Sequence, residues 1–152
     1  MRVIAILCSL FVVVLAAGSG RASEFGNRQE AVDMVHRVQK SFRELGPQVT
    51  FAAVIYKSNT EFHDRDLYVF IYDLNGVCVA HGFRPALVGK NLISLKDQDG
   101  KYLIQEMIQI AQTKGSGWVD YKWPHAVTNQ IEDKTSYIEK LDNYFVGVGV
   151  RP

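Results

Sequence analysis

The residues in this sequence best suited to chemistry are aromatic and basic side chains on predicted strands. Tyr and Trp carry polar atoms that need partners when buried, and His81, Lys122 and Lys134 lie in the same strands and loops. Aromatic walls with a few convergent donors are typical of pockets for small polar ligands, although several of these rings must also pack the core. We predict a ligand-binding set of Tyr68, Phe70, Tyr72, His81, Trp118, Tyr121, Lys122, Trp123, Lys134 and Tyr137.

The spacing of ligand-type residues does not favour a metal site. Cys78 and His81 are three apart on a predicted strand, which in regular alternation puts them on opposite faces. A zinc site needs three or four converging ligands. Residues 97–100 resemble the start of a calcium loop, but the twelfth position counted from Asp97 is Ile108 rather than an acidic residue. We predict no metal and no cofactor, and we assign residues 97–100 to helix capping.

Signals for catalysis are also weak. A nucleophilic enzyme needs Ser, Cys or Thr beside a base in a cleft, and the sequence has no G-x-S-x-G nucleophile elbow. The glycines of residues 115–117 are better explained as the end of a helix and the start of a strand. We predict that the protein is not an enzyme, with a secreted hydrolase as the less favoured alternative.

The N-terminal segment predicts export. The chain has 152 residues, 47% hydrophobic and 22% charged, which is typical of one soluble globular domain. Residues 3–17 form an apolar run shorter than the roughly 20 residues that span a bilayer, and small residues follow it up to Ala22. We predict a signal peptide over residues 1–22 and one periplasmic or secreted domain over residues 23–152, without a membrane span after cleavage. A retained N-terminal anchor is the alternative.

Charge and cysteine content limit the partners of the mature chain. Loss of Arg2 and Arg21 reduces the 17 basic residues to 15, against 16 acidic residues. This balance argues against nucleic acid as a partner, because phosphate binding relies on clustered Lys and Arg. Cys8 leaves with the signal peptide, so Cys78 has no partner for an intramolecular disulfide, and stability must come from packing.

Hydrophobic periodicity predicts two helical regions. Apolar residues at helical spacing indicate a helix over residues 27–45, capped by Asn27 with Glu30 and stopped by Gly46-Pro47. A short second helix is predicted over residues 49–56, and a further helix opens at residues 99–100 and ends at Gly115.

Strand patterns predict the rest of the domain. Runs of β-branched and aromatic residues on both sides of Gly76 indicate a β-hairpin over residues 66–82. Its first strand is apolar on both faces, so the sheet should be covered on both sides or cover a cavity. Further strands are predicted over residues 118–123, 137–141 and 144–150. The class is therefore α+β: an antiparallel sheet of about five strands flanked by helices, the outline of a PAS-like domain.

Strand alternation sorts some of the aromatic residues by face. It places Val119, Tyr121 and Trp123 on one face of their strand and Trp118 with Lys122 on the other. In the hairpin, a two-residue turn pairs Phe70 with His81, whereas a three-residue turn with a bulge at Gly76 pairs Val69 with His81. The sequence leaves both registers open.

The motifs together resemble a single Cache domain. The resemblance covers nearly all of the mature chain and rests on DLYVFIYD at 66–73, NG at 75–76, AHG at 80–82, PALVGKNL at 85–92, GSGWVDYKWP at 115–124, Lys134, SY at 136–137 and GVG at 147–149. It implies a bacterial extracytoplasmic sensor module with a long N-terminal helix on a PAS-like sheet and a pocket for small metabolites, often short organic acids. Such domains usually lie between two membrane spans of a chemoreceptor or histidine kinase. No second apolar span or output domain follows here, so we expect a free-standing secreted member.

The resemblance and the residues together predict a binding protein for a small anionic metabolite. The donors are expected from His81, Lys122 or Lys134, Tyr121 and Tyr137, and a membrane receptor or kinase is the implied signalling partner. Lys134 is expected at the rim of the sheet, reaching towards Tyr121 and Tyr137, with a solvated loop lysine as the alternative. The competing class is a structural or interaction protein whose pocket is filled by its own side chains.

Overall fold

The computed structural model describes residues 23–125 and 128–152. The predicted signal peptide over residues 1–22 therefore lies outside the described residues. The elements follow in the order α1 (Arg28–Ile55), β1 (His63–Asp64), β2 (Leu67–Asp73), β3 (Cys78–His81), a 3-10 turn (Pro85–Leu87), α2 (Leu103–Thr113), β4 (Ser116–Pro124), β5 (Ile131–Leu141) and β6 (Tyr144–Val150).

The long helix α1 contains both helices predicted for the N-terminal half. The Asn27 side chain accepts a hydrogen bond from the Glu30 backbone N–H at 3.0 Å, and the Glu30 carboxylate accepts one from the Asn27 N–H at 2.8 Å. This is the predicted capping box. At Gly46 the backbone leaves the helical region with φ of 80°, and Pro47 follows. A positive φ is accessible to glycine without steric cost, so Gly46-Pro47 breaks the helix as expected.

The strands form one antiparallel sheet that confirms the α+β, PAS-like class. Its order is β1-β2-β6-β5-β4, with β3 also paired to β2, so the sheet has six strands rather than about five. The additional strand, β1, is two residues long. A strand this short has no alternation that a sequence pattern can detect.

Both faces of the sheet are covered, as the apolar pattern of β2 predicted. Val69 and Ile71 pack on the α1 face together with Val35 and Val38. Tyr68, Phe70 and Tyr72 pack on the opposite face, which α2 covers with Leu103, Ile104, Met107, Ile108 and Ala111. The domain therefore has three layers, and most of the predicted site residues lie on strands of the sheet, on the face that α2 covers.

The hairpin between β2 and β3 combines features of the two predicted registers. Asp73 N–H donates to Val77 C=O at 2.9 Å, which leaves a three-residue turn with Gly76 at φ of 89°. The register then shifts between Ile71 and Tyr72, so that Tyr72 pairs with Cys78 but Phe70 pairs with His81. Val79 is the extra residue of this β-bulge. Directly paired residues share a face, so Cys78 and His81 lie on the same face, and the prediction of opposite faces is wrong.

Residues 97–100 do not cap α2, so that prediction is also wrong. The helix begins at Leu103 with Tyr102 as its N-cap, and no side chain caps it. The Asp97 carboxylate instead accepts hydrogen bonds from the backbone N–H groups of Asp99 and Lys101, both at 2.9 Å, and of Lys122 at 3.0 Å. These bonds close a local turn and join it to β4.

Strands β4 and β5 are longer than the sequence pattern indicated. They pair from Ser116 with Glu139 to Pro124 with Ile131, whereas strands were predicted only over residues 118–123 and 137–141. The N-terminal half of β5 is polar and charged, so propensity does not mark it as a strand. The Lys122–Asp133 ion pair, at 2.7 Å, joins the two strands in this half.

Candidate functional site

A cavity lined mainly by aromatic rings lies between the sheet and α2, and we call it the aromatic cavity. The strands contribute Tyr68, Phe70, Tyr72, His81, Tyr121 and Trp123, and α2 contributes Leu103, Ile104 and Met107. The space between these side chains admits the centre of a water molecule over only about 10 Å³. This is close to the minimum for a single water, so the side chains nearly fill the cavity.

The rings of the aromatic cavity are ordered around His81. The His81 ring stacks on Tyr68 with centroids 5.3 Å apart and on Phe70 with centroids 6.1 Å apart. The pairing of Phe70 with His81 across β2 and β3 produces this arrangement. On β4, the rings of Tyr121 and Trp123 meet edge to face at 6.2 Å. The alternation predicted for β4 is confirmed, since both lie on the α2 side.

The hydrogen bonds of His81 determine its protonation. Its Nδ1 atom accepts the backbone N–H of Arg84 at 3.0 Å and that of Phe83 at 3.3 Å. A neutral imidazole has one N–H, so the proton lies on Nε2. Burial, together with the nearby charges of Lys134 and Arg84, lowers the pKa of His81 to about 3. His81 is therefore a neutral ring that can donate through Nε2.

Lys134 places a buried amine against the aromatic cavity. Its residue is 8% exposed and pairs with Tyr121 across β4 and β5. The Nζ atom donates to the Tyr68 hydroxyl at 3.2 Å and lies 4.3 Å from the centroid of the Tyr68 ring. Burial lowers the pKa of Lys134. Within residues 23–125 and 128–152, no carboxylate lies within 4.0 Å of this amine.

Arg84 adds a second cation beside the same rings. Its guanidinium lies 5.8 Å from the centroid of the Trp123 ring, and Nη2 donates to the Asn129 side chain at 2.8 Å. The buried Nε atom has no hydrogen-bond partner. Among the described residues, Arg84 has no carboxylate partner either. Neither of these two cations thus has a carboxylate within 4.0 Å among the described residues.

The tyrosine hydroxyls of the cavity remain protonated at ordinary pH. Tyr121 Oη and Ser136 Oγ are 2.7 Å apart in a buried hydrogen bond. Burial raises the pKa of Tyr121 to about 12 and also raises the pKa of Tyr68 and Tyr72. These groups therefore supply neutral hydroxyls rather than negative charge.

Three of the predicted site residues lie elsewhere. The rings of Trp118 and Tyr137 pack in a tilted arrangement on the α1 side of the sheet, with centroids 5.5 Å apart, and the Arg28 guanidinium lies 4.6 Å from the centroid of the Trp118 ring. Lys122 lies at the rim of the sheet in ion pairs with Asp133 and, at 3.8 Å, with Asp99. Lys134 reaches Tyr68 rather than Tyr137. The structure brings together the other predicted residues: Tyr68, Phe70, Tyr72, His81, Tyr121, Trp123 and Lys134.

Several residues around the cavity were not predicted as part of the site. Leu103, Ile104 and Met107 form the predicted buried stripe of α2, and that stripe faces the cavity. Arg84 and Ser136 have no sequence signal of their own. Only the position of Arg84, three residues after His81, and that of Ser136, two residues after Lys134, suggest them in retrospect.

A larger cleft of about 490 Å³ also borders Tyr68. Its arginines already have acidic partners: Arg65 pairs with Glu30 at 2.8 Å and Arg151 pairs with Glu132 at 3.2 Å. The cations beside the aromatic cavity lack such partners, which makes the aromatic cavity the better candidate for an anion.

The described part of the chain offers neither a cluster of metal ligands nor a helix able to cross a membrane. Residues 23–125 and 128–152 contain no group of three His, Cys, Asp or Glu side chains placed to hold a metal ion. The same residues include no helix of sufficient length and hydropathy to cross a membrane.

Curated relatives include bacterial signalling proteins. Over 90 residues, or 58% of this chain, the sequence is 38% identical to the sensor histidine kinase MctS of Rhizobium johnstonii and 33% identical to the methyl-accepting chemotaxis protein McpP of Pseudomonas putida. These matches cover only 19% and 16% of the respective relatives. The chain thus spans less than a fifth of either protein.

Solved structures share the fold of this domain. A methyl-accepting chemotaxis protein from Vibrio parahaemolyticus superimposes with a TM-score of 0.69 at 24% identity, covering 81% of this chain and 86% of that one. A Cache chemosensory domain, described in connection with carboxylic acid recognition, superimposes with a TM-score of 0.65 at 27% identity and the same coverage.

A family model described as a Cache domain (dCache_2) matches residues 27–151, nearly the whole described domain. The match includes α1, the complete sheet and the aromatic cavity. The curated relatives above are a sensor histidine kinase and a chemotaxis receptor, and a further structural neighbour is the periplasmic sensor domain of a chemotaxis protein. The chain therefore belongs to the Cache domain family.

Proposed function

We propose that this chain is a non-catalytic extracytoplasmic sensor module that binds a short carboxylate in the aromatic cavity. The observation that carries the proposal is the buried Lys134 amine, which has no acidic partner in the described part of the chain. An opposite charge offsets the cost of burying an ammonium group, and the neutral Tyr68 hydroxyl that accepts its hydrogen bond does not supply that charge. A ligand carboxylate would supply the missing charge.

The surrounding groups suit this ligand class. Lys134 and Arg84 provide positive charge, His81 Nε2 provides a neutral N–H, and the Tyr68 and Tyr121 hydroxyls provide further donors. Charge-assisted hydrogen bonds of this kind are about twice as strong as neutral ones. The aromatic and aliphatic walls favour a short apolar tail. The solved Cache domain described in connection with carboxylic acid recognition supports the same class.

The small volume of the cavity sets a requirement on binding. A space of about 10 Å³ for water centres cannot hold a carboxylate. We propose that the α2 wall yields when the ligand enters. Met107 is suited to this movement because methionine is unbranched and adapts to irregular spaces.

The same observation favours a second candidate function. A cavity nearly filled by its own side chains also fits a structural or interaction domain that binds no small molecule. Ligand-dependent stabilisation separates the two candidates, because a ligand that binds only the native state raises the melting temperature. Acetate and propionate should raise it, whereas their uncharged amides should not. A panel of acids without any shift would favour the second candidate.

The sharpest test of the site compares two lysines on the same strand. Lys134→Met should weaken carboxylate binding by about 2 to 5 kcal/mol, the range for breaking a buried charge pair. Lys140→Met is the matched control, because Lys140 is exposed on β5. Titration calorimetry with the acid found in the melting experiment measures both. Equal affinities for the two variants would remove Lys134 from the site.

We propose that the domain functions outside the cytoplasm, after removal of residues 1–22, and signals through a membrane receptor or kinase. The sequence of residues 3–22 and the periplasmic sensor domain among its structural neighbours support this location. Intact-mass analysis of exported protein should give a chain starting at Ser23. A membrane-bound species that starts at Met1 would indicate an anchor instead.

A further inference from the structure

The side chain of Lys134 reaches its position by crossing a neighbouring strand. Lys134 belongs to β5 and Tyr68 to β2, and β6 lies between these two strands in the sheet. The Lys134 amine nevertheless lies 3.2 Å from the Tyr68 hydroxyl. The lysine stem must therefore pass over β6 on the cavity side.

The strand β6 carries glycine where the crossing occurs. Val146, Val148 and Val150 face α1, while Phe145, Gly147 and Gly149 alternate with them on the cavity side. A Cβ atom at Gly149 would lie 2.2 Å from Lys134 Cε and 2.6 Å from Ser136 Oγ. Real Cβ contacts are never that short, so a side chain at this position would have to displace Lys134 or Ser136.

The backbone at Gly149 does not itself require glycine. Gly149 has no positive φ, unlike Gly76 and Gly115, and it lies in a regular strand paired with Ser136. Glycine within a strand lowers its stability because it packs no side chain. The space at Gly149 is instead taken by the Lys134 stem and by Ser136 Oγ, with Lys134 making the nearest contact.

We propose that Gly149 is a positioning residue, which keeps the cavity side of β6 free of a side chain so that the Lys134 amine can reach the Tyr68 hydroxyl at the wall of the aromatic cavity. The role of this amine as a carboxylate anchor rests on the proposed function. The crossing itself does not, and it can be tested without any ligand.

The first test measures access to the Lys134 amine. In the wild-type protein this amine should react slowly with an acylating reagent, because a buried group reacts only through local opening. Gly149→Ala should increase the acylation rate at Lys134 at least about tenfold. Peptide mass spectrometry over time measures this rate. Gly147→Ala is the matched control, because its Cβ would meet Phe70 at 2.4 Å and Ile138 rather than the lysine. It should leave Lys134 protected.

The second test is a double-mutant cycle on thermal stability. Overpacking at Gly149→Ala should lower the melting temperature by about 5 °C or more. In a Lys134→Ala background, Gly149→Ala should lower the melting temperature clearly less, since the clash with the lysine stem is gone. Should Gly149→Ala alone fail to fold, recovery of folding in the double variant gives the same answer.

Two results would overturn the proposal. One is equal protection of Lys134 in Gly149→Ala and wild type. The other is an unchanged cost of Gly149→Ala when Lys134 is removed. Neither result depends on which ligand the domain binds, so failure here is distinguishable from failure of the carboxylate proposal.

Discussion

The buried ring of His81 should make the stability of this domain depend on pH in the mildly acidic range. Burial lowers the pKa of His81 from 6.5 to about 3. Between these values the unfolded chain binds a proton that the folded chain does not, so acidification favours unfolding. Stability is fully present above the unfolded pKa and is lost as the pH falls towards the folded pKa.

The size of this effect follows from the two pKa values. From about pH 7 to pH 5, a shift from 6.5 to about 3 corresponds to a loss of about 2 kcal/mol in the free energy of unfolding. Other groups titrate in the same range, so the comparison needs a variant that lacks only this ring. His81→Asn is suitable, because its side-chain oxygen can accept the Arg84 N–H in place of Nδ1.

Urea denaturation, monitored by tryptophan fluorescence at about pH 7 and about pH 5, measures the free energy of unfolding of the wild type and of His81→Asn. On acidification, the free energy of unfolding of the wild type should fall by about 2 kcal/mol more than that of His81→Asn. His36→Asn serves as the control for loss of a histidine on the exposed surface of α1, and it should retain the wild-type difference. Equal losses for wild type and His81→Asn would show that the ring is not held neutral by burial.

Two further predictions concern residues outside the charged part of the cavity. Replacing Cys78, a buried thiol on β3, with Ala should leave carboxylate affinity within about threefold, because a small packing change away from the charged donors rarely exceeds roughly 1 kcal/mol. Calorimetry tests this, and a loss of binding would give the thiol a role in the site. Asp97→Ala should lower the free energy of unfolding by about 1 to 3 kcal/mol, since it leaves three backbone N–H groups without their acceptor. Asp99→Ala should change it little because that side chain is 67% exposed, and equal effects in urea denaturation would contradict the assigned role of Asp97.

The sequence predicted the elements with regular patterns and missed features that depend on contacts across strands. The capping box at Asn27, the break at Gly46 and the alternation of Tyr121 with Trp123 are local, so residue type and spacing were sufficient. The register of His81 depends on a bulge at Val79, and a bulge leaves no mark in hydrophobic periodicity. It therefore had to remain open.

The same limit explains the uneven prediction of the site. Aromatic density identified most residues of the aromatic cavity but also included Trp118 and Tyr137. Alternation separated Trp118 from Tyr121 and Trp123, but it did not say which of the two faces lines the cavity. Lys134 was predicted at the rim of the sheet. Its contact with Tyr68 instead depends on a path over β6, where Gly149 has no side chain to block it. Side-chain paths over a neighbouring strand are a tertiary property, which a single sequence does not specify.

The hydrogen bonds of Asp97 and Lys101 have a consequence for association between molecules. The strand β4 is nine residues long and forms an edge of the sheet. On this edge the Lys122 N–H donates to the Asp97 carboxylate, and the Asp120 carbonyl accepts a hydrogen bond from the Lys101 ammonium. These are the peptide groups that an incoming strand would need, and exposed edges of this kind are templates for aggregation. The turn before α2 therefore blocks strand addition along the central part of this edge, which protects a domain that has no disulfide among its described residues.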